Sequence, residues 1–197
     1  MEYDLRMVQN AFLGGGCFWC LEAVFQRTKG VRSVTSGYMG GQVDRPSYEA
    51  VCGGRTGHAE VVQVAFDPTE TGYEAILDLF FLIHDPTTPN QQGNDVGPQY
   101  RSIIFAVGPD QAAAAALACQ AYAQSHPSAN PVVTEIVTIS EADWQGHGSL
   151  AHRFFPAEAH HQNYFQTHPN QGYCAFVVAP KVIKAERERP ALMRNAP

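Results

Sequence analysis

A chain of 197 residues, 45% hydrophobic and 11% aromatic, is long enough to bury a full core and short enough to be one globular domain. Its formal charge of -6 at pH 7 offers no attraction to phosphate backbones or anionic lipid, and Lys and Arg cluster only near the end, in Lys181–Arg189, so neither nucleic acid nor membrane is an expected partner. The N-terminal stretch up to Gly16 carries acids where an export signal needs bases, and its apolar run is too short to span a bilayer; a cytoplasmic protein is expected.

The first apolar run, Val8–Leu13, reads as a strand ending in Gly14-Gly15-Gly16, and Cys17–Arg27 follows with Phe18, Leu21, Val24 and Phe25 at helical spacing. A second strand is predicted at Val31–Tyr38, a long Gly-rich loop from Gly40 to Gly57, and a third strand at Ala59–Phe66, stopped by Asp67-Pro68. Helical spacing returns over Tyr73–His84. A polar stretch, Asp85–Gln99, then leads to a strand at Tyr100–Val107, an Ala-rich helix over Asp110–Gln124 opened by Pro109, and a strand at Val132–Thr138. After Ser140 the pattern weakens: Ala157–Gln166 reads as a short helix, and Tyr173–Ala179 as extended before a charged tail. The order βαββαβ predicts an α+β chain built as a ferredoxin-like two-layer α/β sandwich, helices on one face of the sheet, with a C-terminal extension. One catalytic domain is expected over residues 1–197, its core at about 8–140 and a mobile C-terminal segment at about 141–197.

The cysteines number five, Cys17, Cys20, Cys52, Cys119 and Cys174, an odd count that fits free thiols better than a disulfide scaffold. Cys17 follows the glycines at the first turn of a helix, where unpaired amides and the helix dipole favour a thiolate. The same residue also reads as a small buried hydrophobe. Phe18-Trp19 reads as core, or as an apolar cup for a methyl or thioether group beside the thiol. Cys17 and Cys20 form a C-x-x-C, open to three readings: a redox disulfide, half of a zinc site, or coincidence. Zinc needs a second ligand pair, and the adjacent His160-His161 lacks finger-like spacing, so no metal is expected.

Gly16-Cys17-Phe18-Trp19, Tyr48-Glu49-Ala50-Val51-Cys52, Thr56-Gly57-His58-Ala59-Glu60, Gln92-Gly93-Asn94-Asp95 and Gln99-Tyr100-Arg101-Ser102 occur in this order, followed by His161-Gln162-Asn163-Tyr164 and Gly172-Tyr173-Cys174. From about Phe12 to about Lys181 the chain resembles the A-type peptide methionine sulfoxide reductases. The resemblance implies Cys17 as attacking thiol, Phe18 and Trp19 as lining for the substrate methyl, and Glu60, Tyr48, Asp95 and Tyr100 around the sulfoxide oxygen. By themselves the last four also read as an exposed charge, a turn residue and packing tyrosines. An acid at that oxygen must stay protonated near neutrality, which requires Glu60 to be buried.

The resemblance further implies that Cys174 resolves a Cys17 sulfenic acid and that thioredoxin is the final reductant. Cys20, where the family commonly has Gly, is a rival resolver or a relay. The expected substrate is methionine S-sulfoxide, free or in proteins, reduced by a monomer without metal or organic cofactor. Cys52, Cys119 and His160, the last standing where a tyrosine is common, receive no role.

Overall fold

The computed structural model describes residues 8–127 and 130–194; the first seven residues, part of the stretch that argues against an export signal, and the last three lie outside it. In chain order the elements are β1 (Gln9–Gly14), α1 (Phe18–Phe25), β2 (Val31–Met39), α2 (Tyr48–Cys52), β3 (Ala59–Phe66), α3 (Tyr73–Ile83), β4 (Gln91–Gln92), β5 (Asp95–Val96), β6 (Ile103–Val107), α4 (Gly108–Ser125), β7 (Glu135–Ile139), β8 (Phe155–Pro156), α5 (Tyr164–Thr167) and α6 (Ala179–Glu188). One mixed sheet runs β7-β6-β1-β3-β2-β8; only β6 and β7 pair in parallel, and β4-β5 is a separate small hairpin.

The two-residue period of the strands sorts side chains onto two faces. Ala11, Leu13, Val62, Val64, Ile104 and Ala106 pack under the helices, whereas Phe12, Val61, Ile103 and Phe105 meet Ile139, Phe154 and Trp144 on the other side. Glu60, two residues before Val62, therefore points to the helical face, opposite Tyr38 in the β2–β3 register.

Four segments differ from their sequence reading. Residues 40–57 contain α2, whose start is capped by the Ser47 hydroxyl accepting the Ala50 N–H at 3.3 Å; with Val51 its one buried residue, it has no apolar period to detect. The polar stretch 85–99 holds the β4-β5 hairpin and a 3-10 turn at Pro98–Tyr100. Ala157–Gln166 is not one helix but a 3-10 turn at Ala159–His161 and α5, separated by Asn163 in the left-handed conformation (φ 55). Tyr173–Ala179 is helical instead of extended: Cys174–Val178 forms a π-turn running directly into α6. The β-branched and aromatic residues there are overruled by packing, because Cys174, Val178, Val182 and Ala185 bury one helical stripe against the core.

Under the glycine loop lies His84, its Nδ1 bonded to the Phe80 carbonyl at 2.6 Å and its Nε2 to Ser102 Oγ at 2.8 Å, the latter also bonded to Thr134 Oγ1. A carbonyl only accepts, so Nδ1 carries the proton and Nε2 accepts from Ser102. Burial lowers the imidazole pKa from 6.5 to about 4. Unfolding then takes up a proton between those values, so stability declines as pH falls from about 6.5 toward 4. The urea midpoint is expected to drop across that window, and His84→Gln to flatten the slope by up to about one proton; equal slopes in both proteins refute the neutral, buried imidazole.

Candidate active site

The loop Gly14-Gly15-Gly16 delivers Cys17 to the N-cap of α1. Gly15 is pressed by α3: a Cβ there would stand 2.8 Å from the Phe80 ring and 3.0 Å from His84. Gly16 has φ +93, which L side chains rarely adopt, and a Cβ would come within 2.6 Å of Gln92. Cys17 is left 7% exposed, and the next amide, Phe18 N–H, donates to Glu60 Oε2 at 3.0 Å across the interior.

That bond ties the start of α1 to β3. Glu60 is 1% exposed, and burial, with Asp95 and Cys20 adding to it, raises its carboxyl pKa to about 8; the Phe18 amide and Cys17 only partly offset this. The carboxyl thus carries its proton at neutral pH. Burial is also the first reason that the Tyr48 and Tyr100 hydroxyls are shifted upward, and the Glu60 charge acts on both in the same direction. Asp95, half-buried on β5, accepts the Tyr173 hydroxyl at 2.5 Å.

The thiolate expected at Cys17 is not the resting form. Burial pushes the Cys17 thiol well up, and Cys20 and Glu60 push the same way; the Trp19 amide lowers it by less. A helix start favours the anion only while water or donors solvate it, and here desolvation wins. The Cys17 sulfur lies within hydrogen-bonding reach of both Cys20 and Glu60. Cys20 is shifted down, first by its hydrogen bond with Cys17, against burial, with further help from Lys181 and the neighbouring Tyr173 hydroxyl. Cys174 is fully buried; its thiol is raised by burial and then by Cys20. The Cys20 charge thus acts on both of the other thiols.

The two residues after Cys17 belong to an aromatic cluster. Phe18 and Trp19 have centroids 6.1 Å apart, and His161 lies 5.5 Å from Phe18, 5.7 Å from Trp19 and 4.4 Å from Tyr48. Tyr164 stacks on Trp19 at 3.8 Å with planes 8° apart, and Tyr173 meets its edge. Both His161 ring nitrogens are buried without a hydrogen-bond partner among the described residues. His160 packs on His161 at 4.2 Å, and no group of three His, Cys, Asp or Glu among the described residues is arranged to hold a metal.

Sequence reasoning missed Tyr38 and Glu158. The Tyr38 hydroxyl donates to Glu158 Oε2 at 2.9 Å, and the other carboxylate oxygen accepts the Tyr48 N–H, also at 2.9 Å. Strand alternation placed Tyr38 on the Glu60 face and was the available signal; Glu158 sits in an irregular segment that has none. Cys52 is exposed, four residues along α2 from Tyr48 and hydrogen-bonded to it, whereas Cys119 is half-buried on α4, far along the chain from any of these groups.

The family model for peptide methionine sulfoxide reductase matches residues 9–192. The chain belongs to that family. It is 56% identical over 186 residues to the peptide methionine sulfoxide reductase MsrA of Ralstonia nicotianae, covering 94% of this chain and 93% of the relative. Among solved structures it resembles methionine sulfoxide reductase A of Corynebacterium diphtheriae (TM-score 0.76, 35% identity, covering 86% of this chain and 79% of that one). It also resembles reduced Mxr1 from Saccharomyces cerevisiae (TM-score 0.72, 32% identity, 88% of this chain and 92% of that one). Mxr1 has also been solved with Trx2, and against that structure the likeness, 23% identity at TM-score 0.50 over 80% of this chain and 96% of that one, is one of fold.

In this reductase the raised carboxyl has a thermodynamic signature. The folded chain binds the Glu60 proton up to about pH 8, the unfolded chain only to the ordinary 4.5, so stability falls as pH rises between them. Glu60→Gln removes that penalty: its urea midpoint is expected to match the wild type near pH 4.5 and exceed it at pH 8, while single-turnover sulfoxide reduction slows by about a hundredfold or more. A midpoint that follows the wild type at every pH, or an unchanged rate, refutes the protonated carboxyl.

Proposed function

We propose that this chain reduces methionine S-sulfoxide, free or in proteins, to methionine, with Cys17 as nucleophile and Glu60 as acid. The observation carrying this reading is a carboxyl protonated at neutral pH beside a cysteine at a helix start. Attack on the sulfoxide sulfur needs a proton for the departing oxygen, and Glu60 supplies it as Cys17 gives up its own. Phe18 and Trp19 hold the substrate methyl, Tyr48 and Tyr100 direct hydroxyls at the oxygen, and Asp95 completes the polar rim. Oxygen passes to Cys17 as a sulfenic acid and methionine leaves; the chemistry requires no metal or organic cofactor.

A second thiol then condenses with the sulfenic acid, forming a disulfide and releasing water. Cys20, whose charge acts on both the Cys17 and the Cys174 thiols, is proposed as the first to do so; attack of the Cys174 sulfur on Cys20 then returns the Cys17 thiol and leaves a Cys20–Cys174 disulfide. Because Cys174 is buried, the helical C-terminal segment must loosen before a reductant reaches it. Thioredoxin is proposed as that reductant, in keeping with a yeast relative crystallised with Trx2.

The βαββαβ core fits a ferredoxin-like sandwich: β6-β1-β3-β2 are antiparallel neighbours with α1 and α3 on one face. A single catalytic domain working as a cytoplasmic monomer completes the proposal; among the described residues no helix is long and apolar enough to cross a membrane.

With dithiothreitol as reductant, the S epimer alone should disappear; loss of the R epimer, or of neither, overturns the activity. After one turnover without reductant, Cys174→Ser is expected to trap a Cys17–Cys20 disulfide, and Cys20→Ser to accumulate a sulfenic acid that dimedone labels. Rapid Cys17–Cys174 bonding in Cys20→Ser, read by peptide mapping, removes the relay.

A further inference from the structure

Trp19 and Glu22 on α1 and Gln26 at its C-cap stand at i, i+3 and i+7 and share one face of that helix. Against this face lies the segment 161–166. Glu22, only 1% exposed, accepts the Asn163 N–H at 2.9 Å on Oε1 and the Tyr164 N–H at 3.2 Å on Oε2. Gln26 Nε2 donates to Asn163 Oδ1 at 2.7 Å, and Gln166 Nε2 donates to Gln26 Oε1 at 2.9 Å.

The far side of the segment is held by Gln162. Its Oε1 accepts the Ser36 N–H at 3.0 Å, and its Nε2 donates to the Ser36 carbonyl at 2.9 Å and the Ala157 carbonyl at 3.0 Å. Between the two grips Asn163 adopts φ 55, a backbone conformation uncommon outside glycine, which turns two consecutive amides toward one carboxyl. Tyr164 stacks flat on Trp19, and His161 closes on Phe18 and Tyr48.

We propose that Glu22 is a positioning residue for the methyl-binding cup: by accepting the Asn163 and Tyr164 amides it fixes the reversed turn that holds Tyr164 against Trp19. Burying a carboxylate in a helix interior is unfavourable unless it receives hydrogen bonds, and both donors come from the segment it orders. A hydrophobic residue would fill the same space without turning those amides. Glutamine cannot replace it fully, since one of its two polar atoms is a donor and would face an N–H. The binding role of Trp19 rests on the cup assigned to it under the proposed reduction.

The chain has two tryptophans, and Trp144 packs on Phe12 on the opposite face of the sheet, so Trp144→Phe leaves Trp19 as the sole reporter. In that background Glu22→Gln is expected to change Trp19 emission. The substrate concentration giving half-maximal single-turnover rate with N-acetylmethionine S-sulfoxide should rise about tenfold, with the limiting rate within about threefold. Tyr164→Ala should produce the same rise, and the double variant no more than Tyr164→Ala alone, because both act on one contact. Should Glu22→Gln fail to fold, Tyr164→Ala decides the matter by the same two readouts.

Unchanged emission, additive effects in the double variant, or a fall in limiting rate at constant half-saturation overturns the role of Glu22. Trp19→Ala, measured in parallel, separates the two assignments: half-saturation unmoved by that substitution overturns the methyl cup instead, and with it the consequence drawn for Glu22.

Discussion

A single hydrogen bond, from the Phe18 amide to the Glu60 carboxyl, fixes the geometry of this site. It joins the first turn of α1 to the middle of the sheet, at the place where Cys17 caps the helix. The carboxyl is enclosed by the packing that encloses the thiol, so one act of burial raises both groups above their ordinary values. A carboxyl that would ionise in water and the thiol beside it are thereby kept neutral together. A site of this kind is poised to hand a proton to an incoming oxygen and to create the nucleophile only when that oxygen is present.

The same economy governs the sulfurs. A thiol held protonated is a weak nucleophile toward anything in solution, because the thiolate is the reactive form. Cys20, shifted down by Cys17 and Lys181, is the more acidic of the adjacent pair, and its charge acts on Cys174 as well. The π-turn carrying Cys174 is a local irregularity in an otherwise continuous helical run, and such turns concentrate where a helix must yield. Tyr173, the residue before Cys174, bonds Asp95 and so pins that helix to the β4-β5 hairpin at the rim of the site.

Much of the architecture was legible in the amino-acid order. β1, α1, β2, β3, α3, β6, α4 and β7 each show as an apolar run or as apolar residues at regular spacing, and burial is what such patterns encode. Segments whose stability comes from caps, side-chain grips or tertiary contact were not. The five residues of α2 lean on Ser47, and the turn at Asn163 exists through Glu22 and Gln162, residues 141 and 1 positions away. For Tyr173–Ala179 local preference pointed to a strand, and the buried stripe continuing through Val182 and Ala185 reversed it.

Through its resemblance to the reductases the sequence by itself named the chemistry-bearing groups: a cysteine after three glycines, a glutamate at the start of a strand, and tyrosines in separate blocks. Only the tertiary structure decided their protonation and their neighbours. A pKa depends on how much water is excluded and which charges lie nearby, and these are properties of the assembled interior that no spacing along the chain records. The helix start alone argues for a thiolate at Cys17; the packed site holds a thiol, because desolvation exceeds what the first-turn amides return.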